Sequence, residues 1–122
     1  MGMLASRVVD ASVNVRLKGT SIMQRHPFVA RAKESKSIWL LRDHVTPLIG
    51  SEQTGGELAL AVTRTLPGDG TPPHIHRNED EAFFVLEGEM TFMCADALLK
   101  APAGSFVWGP RDVIHCFRNM TD

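Results

Sequence analysis

His74 and His76 stand one residue apart, an acidic stretch, Glu79-Asp80-Glu81, follows at once, and a third histidine, His115, lies far along the chain. Extended chain places residues i and i+2 on one face, so the first two imidazoles can aim at one point and a carboxylate on a neighbouring strand can meet them there. His115 alternates with Val113 and Phe117, and if that face points inward it completes a set of three imidazoles and one carboxylate. Such donors suit one divalent transition metal: iron, manganese, nickel, cobalt, copper or zinc. The protein would leave one or two coordination positions open, where water, O₂ or a hydroxylated organic molecule could bind.

Turn-forming clusters set the frame that must position these groups: Thr54-Gly55-Gly56, Pro67-Gly68-Asp69-Gly70-Thr71-Pro72-Pro73, Pro102-Ala103-Gly104 and Gly109-Pro110. Between them run short segments rich in β-branched, aromatic and aliphatic residues, of strand rather than helix length. The expected strands are Ser37 to Arg42, Glu57 to Thr65, Ala82 to Glu87, Met90 to Cys94, Ser105 to Trp108 and Val113 to Arg118. Leu86 to Met90 reads as a tight hairpin with Gly88 at the position of positive φ. The alternation from Val13 to Lys18 suits a half-exposed strand within an N-terminal arm, residues 1–23, and residues 24–122 form one all-β sandwich or barrel.

The inward-facing members of Phe83, Val85, Phe92, Phe106, Trp108 and Phe117 are the expected substrate-pocket walls, suited to a flat aromatic or otherwise apolar ligand. The carboxylate beside the metal is the candidate catalytic base. Cys94 and Cys116 are too few and too far apart for a disulfide framework and read as reduced thiols.

The 122 residues carry 13 Lys+Arg against 14 Asp+Glu, a net charge of −1, with 43% hydrophobic residues. No dense basic run offers a footprint for nucleic acid or an anionic membrane, and neither partner is expected. No window approaches the roughly 18 apolar residues of a membrane span, and the first residues lack a secretory layout, so a cytoplasmic protein is expected.

At the level of motifs, the chain resembles the cupin superfamily. Gly68, His74, His76, Glu81 and Gly88 fit every spacing of that family's first motif; Gly104, Pro110, His115 and Asn119 fit the second, with Asp112 where the motif has glycine. Asp tolerates left-handed backbone, so the turn is expected to be kept. The surrounding residues, Trp39, Thr54-Gly55-Gly56, Pro72 to His76, Asp80 to Phe83 and Pro110 to His115, are similar to small single-domain, quercetinase-like members. The resemblance implies a double-stranded β-helix, the cupin jelly-roll barrel, with metal held by His74, His76, Glu81 and His115. The spacing to Gly88 selects Glu81 over Glu79 and Asp80 as ligand and base, leaving those two as solvated loop charges. The implied activity is a metal-dependent dioxygenase-like oxidation of a hydroxylated aromatic or flavonol-like molecule; the alternative is a non-catalytic metal- or ligand-binding module. Cupins usually continue for another strand beyond the second motif, so an incomplete monomeric barrel and a homodimer are expected, with the N-terminal arm covering an open strand edge.

Overall fold

A computed structural model describes the backbone of residues 8–15 and residues 26–121 in full. Nine strands account for nearly all regular structure: β1 (Val8–Val15), β2 (Ile38–Leu40), β3 (Asp43–Ile49), β4 (Leu58–Thr65), β5 (Asp80–Glu87), β6 (Glu89–Cys94), β7 (Ala97–Pro102), β8 (Phe106–Gly109) and β9 (His115–Arg118). A 3-10 turn at Ala32–Glu34 and a one-turn helix, α1 (Ser51–Thr54), complete the described elements. Among the described residues no helix is long and apolar enough to cross a membrane.

The strands form two antiparallel sheets, one ordered β2-β3-β4-β1-β5-β8 and the other β7-β6-β9. Alternate residues face the space between them, which Phe83, Val85, Met90, Phe92, Ala101, Val107 and Phe117 fill. Phe83, Phe92 and Phe117 pack with ring centroids 4.9 to 5.9 Å apart. Burying each such ring is worth roughly 1.5–3 kcal/mol, and the three come from different strands, so this contact ties the sheets together. The architecture is the expected all-β jelly roll.

Local chemistry explains where the strands begin and end. Gly88 has φ 76° and makes the tight β5–β6 turn. Leu41, at φ 57°, reverses the chain after β2, which shortens the expected Ser37 to Arg42 strand and starts β3. Asp112, at φ 63°, takes the left-handed turn conformation expected of it, and β9 accordingly begins at His115 rather than Val113. The strands β3 and β7 were not expected; Asp43, His44 and Pro47 disguise the first, and the small Ala97 and Ala101 with Pro102 disguise the second. The arm strand falls on Val8–Val15 instead of starting at Val13, and positions 16–18 lie outside the described residues. It enters the middle of the large sheet, between β4 and β5, rather than capping an edge.

Candidate metal centre

Two segments remote in sequence are stitched together before any side chain is considered. The loop that follows β4 lies against β9: His74 N–H donates to the His115 carbonyl at 3.0 Å and His115 N–H returns a bond to the His74 carbonyl at 2.9 Å. Upstream in the same loop, Gly70 pairs with Arg118, and a Cβ at Gly70 would meet the Phe117 carbonyl oxygen at 2.0 Å, so only glycine admits this approach. The Asp112 N–H donates to the His76 carbonyl at 2.8 Å, fixing the far end of the loop. Glu81 enters from β5, opposite Gly109 of β8.

The four side chains predicted as metal ligands converge. One donor atom from each of His74, His76, Glu81 and His115 lies within 4.8 Å of every other. The Nε2 atoms of His74, His76 and His115 stand 3.7, 3.1 and 3.0 Å from the same Glu81 oxygen, Oε2. His115 is almost wholly buried, while His74 and His76 are partly open to solvent.

The opposite edges of the rings decide what these atoms can hold. His74 Nδ1 lies 2.8 Å from the Pro72 carbonyl, His76 Nδ1 2.8 Å from Glu79 Oε1, and His115 Nδ1 3.0 Å from the Val113 carbonyl. Each partner is an acceptor, so a neutral ring that donates from Nδ1 presents an Nε2 lone pair to Glu81, and His115 Nε2 stands at hydrogen-bond distance from Glu81 Oε2, 3.0 Å. His76 Nε2 is buried and has no hydrogen bond. Three lone pairs around an anionic oxygen repel one another unless a cation lies among them, and the backing acceptors are the arrangement that orients metal-ligating histidines. The donor set therefore fits a divalent transition metal.

Two acidic neighbours do more than the sequence suggested. Glu79, expected to be a solvated loop charge, is the acceptor that sets the His76 tautomer. Asp80, expected likewise, takes hydrogen bonds from Arg111 through backbone N, Nε and Nη2 at 2.9, 3.1 and 2.9 Å, and these hold its carboxyl down at about 2. A second cross-link, Arg77 to Asp112 at 2.9 Å, is exposed. The spacing from His76 to Glu79 was a readable signal for the first role; nothing in the sequence linked Asp80 to Arg111.

The six expected pocket residues divide. Glu81, Phe83 and Val85 alternate inward along β5, and His115 and Phe117 along β9, so Phe83, Val85, Phe92 and Phe117 pack in the core behind the ligands. Phe106 and Trp108 do not face the interior and remain 61% and 55% exposed. Register is the reason: Val107 lies opposite Phe83 and Gly109 opposite Glu81, which sends the residues between them outward. Cys94 lies across the ladder from His115, burial pushes its thiol pKa up, and both cysteines are free. His44, outside the motifs, rests edge-on against Trp39.

Comparison with known proteins agrees with this geometry. The chain is similar to the quercetin 2,3-dioxygenase of Bacillus subtilis (strain 168), 25% identical over 93 residues. The match covers 75% of this chain but 27% of that enzyme, so the chain spans about a quarter of the relative's length. The family defined by the cupin domain matches residues 61–122, which include all four ligand positions and half of the chain. By that match, this chain belongs to the cupin family.

Proposed function

We propose that this cupin is a metal-dependent, dioxygenase-like oxidoreductase acting on a hydroxylated aromatic or flavonol-like small molecule. The observation that carries the reading is the convergence of three imidazole lone pairs on Glu81 Oε2, with every Nδ1 already committed to an acceptor. When bound, a redox-capable transition metal supplies Lewis acidity and a path for electrons between substrate and O₂. His74, His76 and His115 hold it as neutral donors. The Glu81 carboxylate would take the proton of a substrate hydroxyl, leaving the ring electron-rich toward O₂. Partial exposure of His74 and His76 lets a ligand approach from the loop side, and the aromatic core behind Glu81 keeps water from entering at the rear. The similarity to a quercetin 2,3-dioxygenase favours a flavonol-like substrate class.

A second reading, a metal- or ligand-binding module without turnover, is favoured by the packing of Phe83, Phe92 and Phe117, which fills the interior and leaves substrate to bind at the mouth. O₂ uptake separates the two. Protein loaded in turn with iron, manganese, nickel, cobalt and copper is expected to consume O₂ with a flavonol, and Glu81→Gln to abolish uptake. Metal binding at one ion per chain with no uptake across a panel of enolisable aromatics would establish the binding module instead.

A further inference from the structure

Four buried side-chain polar atoms lack a hydrogen-bond partner among the described residues: His76 Nε2, Asp43 Oδ1, Thr65 Oγ1 and Asp69 Oδ2. The first marks the metal centre. The other three gather elsewhere. His44 pairs with Arg64 across β3 and β4, so their neighbours Asp43 and Thr65 meet on the other, inner side of the same ladder. Asp69, anchored by its N–H to the Leu66 carbonyl and its carbonyl to the Asn119 N–H, is close enough for its charge to act on the Asp43 carboxyl, as does the Thr65 hydroxyl. Asp43, Thr65 and Asp69 are 3%, 1% and 7% exposed.

We propose that Asp43, Thr65 and Asp69 form a second cation site, separate from the metal centre, for a hard, oxygen-preferring cation such as Ca²⁺. The same signature that marks the first centre, buried lone pairs with nothing to receive, recurs here on a different donor set. All three atoms are oxygens, with neither imidazole nor thiolate among them, which selects hard ions over transition metals. One guanidinium reaches the group, Arg42 Nε at 3.1 Å from Asp69 Oδ1, and it leaves one of the two carboxylates uncompensated. Thr65 contributes a neutral hydroxyl, 1% exposed, whose oxygen accepts from no donor, so the donors are more than an acidic pair. The two centres lie at opposite ends of β9: His115 opens the strand, and Asn119, which bonds to Asp69 and to the Thr65 carbonyl, follows its last residue, about 13 Å farther on.

Titration of chelator-stripped full-length protein with Ca²⁺ alone, followed by calorimetry and thermal melting, tests the site. Wild type and His74→Ala/His76→Ala are expected to bind one Ca²⁺ and melt higher, whereas Asp43→Asn and Thr65→Val bind at least tenfold more weakly. If the double histidine variant does not fold, Zn²⁺-saturated wild type takes its place. Three results overturn the proposal: no heat and no melting shift at millimolar Ca²⁺, which means the carboxyls share a proton; undiminished binding in Asp43→Asn; or loss of binding when the histidine centre is removed or filled.

Discussion

Arg111 and Asp80 form a bidentate clamp, reinforced by the Arg111 backbone N–H, that ties the turn before His115 to the strand bearing Glu81. Its planar fork matches a carboxylate in a way that an ammonium does not. Arg111→Lys is expected to leave the melting temperature nearly unchanged, because the pair sits at the surface, yet to weaken transition-metal binding roughly tenfold by loosening the distance between Glu81 and His115. Competition with a calibrated chelator measures it; unaltered affinity would show that the core alone fixes the site.

Glu79 is expected to matter through His76 rather than by touching substrate. In Glu79→Ala the His76 ring loses its acceptor, can move its proton to Nε2, and can rotate. Metal affinity should fall by about 10- to 100-fold. Glu79→Gln keeps an oxygen that can accept from Nδ1 and should recover most of the loss. Equal affinities for the alanine and glutamine variants would argue against orientation by this bond.

How far the sequence disclosed this arrangement follows from the range of each interaction. The ligand set was legible because strand periodicity and motif spacing are local: His74 and His76 share a face, and Glu81 and His115 have fixed distances to turn residues. The phase of β8 was not, since Phe106 and Val107 are both apolar and only pairing with β5 decides which points inward. Likewise β3 shows weak alternation, and its place is set by partners on β2 and β4 that come together only in the folded sheet. The clamp between Asp80 and Arg111 and the grouping of Asp43 with Asp69 are long-range relations between ordinary surface-type residues, and no local pattern announces them.

The carboxyl of Asp43 gives a stability prediction with a definite sign in cation-free solution. Burial, with the neighbouring Asp69 charge adding to it, pushes its pKa above the ordinary carboxylate value despite the opposing Thr65 hydroxyl. The folded chain therefore holds that proton more tightly than the unfolded chain. Its stabilisation is complete below the unfolded value and is lost as pH rises through the folded one. With chelator present, Asp43→Asn should stabilise the protein at neutral pH by about 1 kcal/mol, a rise of about 4 °C in Tm, and the advantage should vanish in acid once wild-type Asp43 is protonated. Melting curves across pH check both halves, and a variant less stable at neutral pH would contradict the assignment.

Association is expected through the outer face of β5 and β8. Phe84 lies directly opposite Phe106 and Ala82 opposite Trp108, so this face presents adjacent aromatic rings to solvent. Leu86 extends the patch along β5. Strand β8 is also the last strand of the six-stranded sheet, so its outer backbone groups have no neighbouring strand among the described residues. An apolar face beside an open edge is a liability unless covered, and a second copy related by a twofold axis can cover the face by packing the same β5–β8 aromatic patch against it. Light scattering at micromolar concentration should give twice the 13.4 kDa chain mass. Trp108→Glu places a charge on that face without entering the core or the metal centre, so it should yield a folded monomer that still binds metal. A monomeric wild type, or a Trp108→Glu variant that remains dimeric, would move the interface elsewhere.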